Sequence, residues 1–451
     1  MKKFVIFCLT AAILFVGTAP VCFADYSDEV EISAPVAYLV NLDMDNSPVI
    51  YDKNSELRCA PAALAKVAAC LVLLQNFSGS FDEVVTASYD SIHRLDGTGC
   101  TTTGMLSGEQ MTVEDLFYCV LVANANDALS VLQDYILEGG ESELVQKMNE
   151  LVSSLGLLNT AFTNPFGFEE DGQYTTARDM AVIFREAMNN SVFEEINSTY
   201  YWEVAPTNKY GYIRYLKNTN SLLNSAIADY YYEYTLGGKS GYTEADCCNL
   251  VSMASRDGYS YLCVVMAAPV KDSDNDGVDE SQAFIDTKTL YKWAFKNIKL
   301  RVIVSVSTYC GEIGVLYSSK YDYVGLVPSE DISALVPSSV NESSILVEID
   351  DEYKDVQLRA PINKGDVIAT GKIKYADTVL SDVTLVAADD VPFSMVRFFR
   401  DSALSVIHSP WIFVVIIALA AVVFLSIRLH GRSVRKKRDE KQVVLGKKTN
   451  K

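Results

Sequence analysis

The feature that most restricts how this chain of 451 residues can fold is an apolar segment near its C-terminus. Residues 402–427 carry no formal charge, and Trp411–Ile427 is almost entirely apolar. About 20 apolar residues cross a bilayer as a helix, which predicts a transmembrane helix over 410–427. The cluster of Lys and Arg in 428–451 predicts a basic cytoplasmic tail. A buried core helix is the alternative, but core helices rarely end in so many cations.

The first 24 residues have the pattern of a secretory signal peptide. Two lysines precede an uncharged run that ends in a small-x-small pattern at Ala24, where cleavage is expected. A first transmembrane helix is the alternative, which Gly17 and Pro20 disfavour. Together, the two ends predict a single-pass protein of the cell membrane with its main part outside the cytoplasm. This architecture suits a Gram-positive-type envelope.

Charge is distributed unevenly along the chain. The formal net charge is −20, yet both ends are basic, so residues 25–427 carry −30. A surface this acidic cannot neutralise phosphates, which argues against nucleic acid as a partner.

Cysteine and histidine usage narrows the chemistry further. Eight cysteines follow the signal and none forms a C-x-x-C pair, so neither a zinc knuckle nor a thioredoxin-like site is indicated. Export permits disulfides, but spacing does not reveal their pairing. His93 is the one histidine far from the membrane helix, which argues against a Ser-His-Asp triad and a His-ligated zinc site. We expect no cofactor.

Hydrophobic periodicity divides the exported part into two domains. Helical and strand patterns alternate over 25–297, which predicts an α+β domain. The elements predicted there are two strands in 36–52, helices starting near Pro61, Thr112, Asn126 and Thr175 or Thr176, a hairpin from 247 and a helix over 284–297. From about Leu300 the pattern is strand-like, which predicts an all-β domain over 298–392 and a linker over 393–409.

Three short motifs occur in order within the first domain. They are Ala63-Leu64-Ala65-Lys66 at a predicted helix start, Asn124-Ala125-Asn126 between two helices, and Lys239-Ser240-Gly241 entering a strand. Serine acyltransferases that recognise penicillin carry S-x-x-K, S-x-N and K-[TS]-G in this order. Residues three apart share one face of a helix, so the lysine can take the proton of a serine hydroxyl.

The surrounding segments make this likeness specific. "TVEDLFYCVLVANANDAL", "NTNSLL" and "GGKSGYTEADCCNLV" resemble the low-molecular-mass penicillin-binding proteins, and more narrowly the serine-type D-alanyl-D-alanine carboxypeptidases. The resemblance covers about residues 30–297, and the β-domain and anchor that follow also fit that family. It implies a penicillin-binding-protein/β-lactamase-like transpeptidase domain, then a small all-β domain and a C-terminal transmembrane helix.

The resemblance also implies roles for single residues. In the family, a serine attacks the peptide bond between two terminal D-alanines of a peptidoglycan stem peptide and forms an acyl-enzyme. Lys66 matches the base, and Asn126 matches the residue that orients the substrate amide. Residues 239–241 match the motif that binds the substrate carboxylate. Tyr242 follows them as a backbone donor to the oxyanion.

At three positions the chain departs from the family pattern. Ala63 stands at the nucleophile position, and its methyl group has no lone pair with which to form an acyl-enzyme. Asn124 stands where a serine relays protons, and Phe166 stands where a histidine is usual. The one S-x-x-K of the chain begins at Ser433, in the basic tail, and is a chance match.

We therefore predict a cell-wall protein of this family that is catalytically inactive or impaired. It would bind stem peptides ending in D-Ala-D-Ala, or act as a scaffold for cell-wall synthesis proteins, and would bind β-lactams non-covalently at most. Two alternatives stay open. One is an active carboxypeptidase with a non-standard nucleophile, and the other is a purely structural ectodomain.

An acidic segment at 272–280 resembles the first half of a calcium loop through Asp272, Asp274 and Asp276. Position twelve of such a loop would be Ala283 instead of a bidentate glutamate, so a solvated acidic loop is favoured over a metal site. The family often places an arginine in this region to hold the substrate carboxylate. This chain has none there, which argues against tight substrate binding.

Overall fold

The computed structural model describes residues 30–44, 47–243, 245, 247–272, 279–354, 356–375, 378–400 and 410–446. The chain falls into two compact units. The first runs up to Ile303 and adds Ser333–Leu346 and Lys374–Ser381, and the second holds Val304–Ile332, Val347–Ile373 and the chain from Asp382 onward. The predicted domain boundary at 297/298 stays a prediction.

An antiparallel sheet organises the first unit. The strands are β1 (Val36–Asn41), β2 (Val49–Lys53), β3 (Val84–Thr86), β4 (Gln110–Thr112), β5 (Tyr201–Val204), β6 (Arg214–Lys217), β7 (Thr235–Tyr242), β8 (Cys247–Arg256), β9 (Tyr259–Lys271) and β10 (Glu280–Ser281). The sheet order is β2-β1-β9-β8-β7, with β10 paired to β9, while β3–β4 and β5–β6 form two separate pairs.

The predicted hairpin from residue 247 is confirmed as β8 and β9. Arg256 pairs with Tyr259, which leaves Asp257 and Gly258 as a two-residue turn. Both turn residues have positive φ, +53° and +82°. Asp and Gly tolerate this conformation, and such turns match the twist of paired strands.

Helices pack around this sheet. They are α1 (Ala65–Asn76), α2 (Tyr89–His93), α3 (Val113–Leu121), α4 (Asn126–Ile136), α5 (Gly140–Ser154), α6 (Ala177–Met188), α7 (Ser191–Ser198) and α8 (Gln282–Asn297). Every residue of α1 from Ala65 to Leu74 is buried. A helix that is apolar on all sides belongs in a core, and α1 lies at the centre of this one.

Side-chain caps set two of the predicted helix starts. The Thr112 hydroxyl accepts a hydrogen bond from the Asp115 amide, and the Thr176 hydroxyl accepts one from the Asp179 amide, both at 3.1 Å. Such a cap contributes about 1 kcal/mol. Of the two predicted alternatives for α6, Thr176 is therefore the cap. The Thr175 hydroxyl contacts the Thr160 hydroxyl instead.

From Ile298 to Ala387 the regular structure is almost all strand, as predicted. They are β11 (Ile298–Val304), β12 (Gly311–Leu316), β13 (Tyr323–Pro328), β14 (Ile332–Pro337), β15 (Ile345–Ile349), β16 (Gln357–Arg359), β17 (Val367–Tyr375) and β18 (Thr378–Ala387), with the short helix α9 (Asp351–Lys354). β11 pairs with β14, and the others form one sheet in the order β15-β17-β18-β13-β12-β16.

A long helix, α10 (Pro410–Gly446), lies at the C-terminal end of the described chain. Within it, Phe413–His430 is long and apolar enough to cross a membrane, and none of this stretch is buried. A core helix of the same composition would be mostly covered by protein, so the exposure supports the predicted anchor. The predicted signal peptide at 1–24 lies outside the described residues.

Candidate functional site

Two backbone segments meet at the start of α1. Ala63 lies in a short 3-10 turn, Ala62–Leu64, that leads into the helix. Opposite it stands Gly241 of β7. A Cβ atom on this glycine would lie 2.5 Å from the Ala63 nitrogen and 3.0 Å from its Cβ. Only glycine permits this approach, so the first and third motifs are brought into contact.

The backbone around Ala63 is strained. Ala62 has a φ of +48°, a conformation that costs a non-glycine residue about 1–3 kcal/mol and that clusters at functional sites. Gly167, with a φ of +87°, faces it, and a Cβ there would lie 2.0 Å from the Ala62 carbonyl oxygen. The neighbouring Phe166 is buried, and its ring lies 5.4 Å from that of Phe168. Phe166 is thus a buried residue next to the glycine that faces this turn.

Asn249 of β8 fastens the segment that precedes this turn. Its amide nitrogen donates to the carbonyl oxygens of Ala60 and Pro61, at 2.8 and 3.3 Å, and its amide oxygen accepts from Ala267 N at 2.8 Å. The side chain is fully buried. Our sequence reasoning missed this residue. The available signal was a lone amide inside the apolar strand "CCNLVSMAS", because buried polar groups need partners.

Lys66 lies one turn along α1, 1% exposed. Its Nζ donates to the Asn124 amide oxygen at 3.0 Å. The partner of this amine is therefore Asn124, whereas the Asn126 side chain donates to Thr101 O. Asn124 occupies the connection between α3 and α4 with a φ of +63°, which places it beside the lysine. Burial lowers the pKa of Lys66 to about 8.

Lys239 of β7 is also fully buried. Its Nζ makes a long hydrogen bond of 3.5 Å to its neighbour's carbonyl, Ser240 O. Burial, and then the positive charge of Lys66, lower the pKa of Lys239 well below its ordinary value. Within the described residues neither lysine forms an ion pair with a carboxylate. An anion beside these amines would favour their charged form and so oppose both effects, which makes the pair suited to an anionic ligand.

Asn126 starts α4 and makes its hydrogen bonds to the loop that precedes α3. Its backbone N and side-chain Nδ2 both donate to Thr101 O, at 2.9 and 3.2 Å. Its amide oxygen is buried and has no partner among the described residues. The next residue, Asp127, accepts hydrogen bonds at 3.0 Å from the backbone of Thr103 and of Met105. This carboxylate, which sequence reasoning also missed, ties the loop 101–105 to the helix start.

The remaining predicted site residues lie on β7. The Ser240 hydroxyl is buried and donates to Thr219 O at 3.0 Å, which fixes its orientation. Tyr242 ends the strand with its side chain 60% exposed. The predicted residues of all three motifs thus gather where α1, β7 and the α3–α4 connection meet.

The groups that gather here differ in their chemistry. It combines two amines, one unpartnered amide oxygen and no hydroxyl at residue 63. Cys70, one turn beyond Lys66, adds no nucleophile, because burial raises the pKa of its thiol to about 12. All eight cysteines from Cys59 to Cys310 are free thiols.

The candidate calcium loop is only partly covered. Asp272 is described, whereas Asp274 and Asp276 lie outside the described residues. Among those that are described, no group of three or more His, Cys, Asp or Glu could hold a metal ion.

Comparisons with known proteins match two parts of this chain to two family models. Residues 24–270 match the family model described as D-alanyl-D-alanine carboxypeptidase, and residues 303–392 match the penicillin-binding protein 5 C-terminal domain. The D-alanyl-D-alanine carboxypeptidase DacF of Bacillus subtilis is 29% identical over 392 residues, 85% of this chain and 93% of that protein. The D-alanyl-D-alanine carboxypeptidase DacA of Escherichia coli K12 is 26% identical over 78% of this chain and 82% of that protein.

Solved structures give the same result. Penicillin-binding protein 5 of Haemophilus influenzae superposes with a TM-score of 0.55 at 25% identity, and the match covers 80% of this chain and 98% of that one. The predicted α+β fold of a transpeptidase domain followed by a small all-β domain is thereby supported. Because the first family model covers more than half of the sequence, the chain belongs to the D-alanyl-D-alanine carboxypeptidase family.

Proposed function

We propose that this chain is a membrane-anchored member of the family that binds peptidoglycan stem peptides ending in D-Ala-D-Ala and does not hydrolyse them. The observation that carries the proposal is the contact between Ala63 and Gly241, beside the buried amines of Lys66 and Lys239. This close approach of two backbone segments supports a substrate cleft, and the side chain at the proposed nucleophile position is a methyl group.

Two substitutions remove the chemical step. A methyl group offers no lone pair, so Ala63 cannot form the acyl-enzyme on which the family's reaction depends. In another serine hydrolase, loss of the nucleophile lowers turnover by about 10⁶. Asn124 keeps Lys66 hydrogen-bonded, but an amide does not relay a proton as a hydroxyl does. The two changes act on separate parts of the reaction.

Binding survives the loss of the reacting atom, because positioning groups and reacting groups are separable. A D-Ala-D-Ala terminus carries a carboxylate, which suits the unpaired Lys239 and the adjacent Ser240. The unpartnered amide oxygen of Asn126 suits a peptide N–H of the same ligand. β-Lactams carry a similar carboxylate and would bind here non-covalently at most.

The proposed location follows from the two ends of the chain. An exported ectodomain held by the helix over Phe413–His430 places the site on the outer side of the cell membrane, next to the peptidoglycan. A protein that retains peptides there can also hold cell-wall synthesis proteins near their substrate.

The decisive experiment tests the nucleophile. The full chain in detergent is incubated with a labelled penicillin and read by intact mass, beside an Ala63→Ser/Asn124→Ser double variant. We expect no mass gain by the natural chain and a stoichiometric gain by the double variant. Ala62→Ser is the matched control, because it adds the same hydroxyl one residue earlier and should stay unlabelled.

Two other outcomes favour the alternatives. A mass gain by the natural chain would show an unrecognised nucleophile and an active enzyme.

Titration calorimetry with an N-acylated peptide ending in D-Ala-D-Ala then tests binding, with the C-terminal amide of the same peptide as control. Acid-selective binding that Lys239→Met weakens supports the proposal. No binding of either peptide favours a purely structural ectodomain.

A further inference from the structure

The loop that borders the candidate site also touches a group of exposed tyrosines. Asn126 and Asp127 hold the loop 101–105 through hydrogen bonds with Thr101, Thr103 and Met105. Within this loop, Gly104 O accepts a hydrogen bond of 2.7 Å from the Tyr210 hydroxyl. Three residues of chain span at most about 10 Å, so this tyrosine lies close to the part of the loop that contacts Asn126.

The β5–β6 segment carries two pairs of tyrosine rings, Tyr201 with Tyr215 and Tyr210 with Tyr212, which together we call the tyrosine patch. Tyr212 is 60% exposed, Tyr215 59% and Tyr201 41%. The rings of Tyr201 and Tyr215 stack with centroids 5.7 Å apart, and those of Tyr210 and Tyr212 meet edge to face at 5.4 Å. Three of these four rings are exposed, and exposed aromatic pairs of this kind mark binding surfaces.

The patch is held rigidly from beneath. Arg214 lies 4.9 Å over the Tyr210 ring and pairs with the buried carboxylate of Glu109. On the inner face of the β5–β6 pair, the Trp202 ring stacks on that of Tyr118 in α3, with centroids 3.6 Å apart. A surface already ordered in this way loses little conformational freedom when a ligand binds.

The chemistry of the patch favours an uncharged saccharide. Along its outer face, Glu203 and Lys217 alternate with Tyr201 and Tyr215, so the charges cancel. Lys and Glu are depleted in the cores of protein interfaces, which makes a protein partner the less favoured occupant. Aromatic faces carry partial negative charge and attract polarised C–H groups, which line the flat faces of sugar rings. An ectodomain of charge −30 repels anionic polymers.

We propose that the tyrosine patch binds the glycan strand to which a stem peptide is attached, an uncharged polymer of N-acetylated sugars. The inference rests on the proposed function, because one ligand would occupy the cleft with its peptide and the patch with its sugar. Each contact raises the local concentration of the other end of the ligand, so the two together bind more tightly than either alone.

The test uses the full chain in a detergent without a sugar headgroup, titrated with the hexamer of N-acetylglucosamine. Tyr212→Ala and Tyr215→Ala should each raise the dissociation constant roughly tenfold, as expected for the loss of one stacked ring. Tyr89→Ala is the matched control, because Tyr89 is 65% exposed on α2 in the same unit. Tyr212→Phe keeps the ring and should bind as the natural chain does.

Peptide affinity measured on the same samples separates the two proposals. If the D-Ala-D-Ala peptide binds and the hexamer does not saturate, the patch inference is overturned, the rings are left for a protein partner, and the proposed function stands. If the hexamer binds and the peptide does not, the proposed function fails and the saccharide site stands by itself. An equal loss in Tyr89→Ala would also overturn the inference.

Discussion

The two sides of the candidate site are built differently. On the strand side, made of β7 and residues 60–63, backbone meets backbone, and glycines at 167 and 241 occupy points where a Cβ would overlap another atom. On the loop side, made of residues 101–105 and 124–127, side chains make the contacts. The strand side depends on the absence of a Cβ atom at its glycines, and the loop side depends on hydrogen-bond partners.

The departures from the family pattern follow this difference. On the loop side, Asn124 replaces the expected serine and still satisfies the Lys66 amine. On the strand side the glycines are present, and Ala63 is smaller than the expected serine, so it fits without adjustment. Contacts between side chains accept a new residue that offers a polar atom, whereas close backbone approach accepts only glycine.

The largest expected effect comes from adding a methyl group on the strand side. Gly167→Ala should lower the free energy of unfolding by about 4 kcal/mol, because it combines a positive φ with an overlap onto the Ala62 carbonyl. The matched control is Gly258→Ala, which has a similar φ but nothing within 4 Å, and should cost about 1 kcal/mol. Denaturant unfolding measures both. Equal losses would mean that close approach does not define the strand side.

Removing the buried side-chain amide of Asn249 should have the next largest effect on stability. Asn249→Ala leaves two carbonyls and one N–H without their partner, which should lower the free energy of unfolding by about 3 kcal/mol. Asn189→Ala, at an exposed position in the same unit, is the control and should change it little. If the free energy of unfolding falls no more than in the control, water replaces the hydrogen bonds of the Asn249 amide.

The loop side predicts a pH dependence. The pKa of Lys66 is about 8 when folded and about 10.4 when unfolded, so between these values the unfolded chain binds more protons. The burial penalty of the charge is therefore present below pH 8 and is relieved as pH rises. Relative to Lys66→Met, the natural chain should gain about 2 kcal/mol of stability between pH 7.5 and 9.5.

Measuring that difference by unfolding at each pH removes the contributions of thiols and tyrosines, which both proteins share. Lys209→Met, at an exposed position, is the control and should show a constant difference from the natural chain. A constant difference for Lys66→Met would contradict the lowered pKa of the buried amine.

The smallest expected effect comes from replacing Lys239 on the strand side, where stability and peptide binding should change in opposite directions. Lys239→Met replaces a buried amine that lacks a carboxylate partner, so it should raise the free energy of unfolding by about 1 kcal/mol while it weakens peptide binding. Lys66→Met should gain less at neutral pH, because it leaves the Asn124 oxygen without its donor. If Lys239→Met is less stable than Lys66→Met, burial of the Lys239 amine does not destabilise the folded protein as proposed.

The residues of the site were predictable, but their partners were not. The resemblance to the family's motifs pointed to Lys66, Asn126 and residues 239–241, and in the structure Lys66 bonds Asn124 while Gly241 meets Ala63. Spacing did not identify Asn124 as the partner of Lys66, because a single residue in left-handed conformation decides which amide faces the lysine. Asn249 was also missed, since its partner Ala60 lies 189 residues away in the sequence.

What the sequence by itself determined was local. Helix caps, the two-residue turn at 257–258, the apolar pattern of α1 and the order of the motifs all depend on residues within a few positions of one another. The tertiary structure alone decided which distant groups meet: Gly241 against Ala63, Asn249 against Ala60, and the loop 101–105 against Tyr210. The physical reason is that local hydrogen bonds and periodicity are encoded in neighbouring residues. Close packing and the pairing of buried polar groups arise only when the whole chain has collapsed.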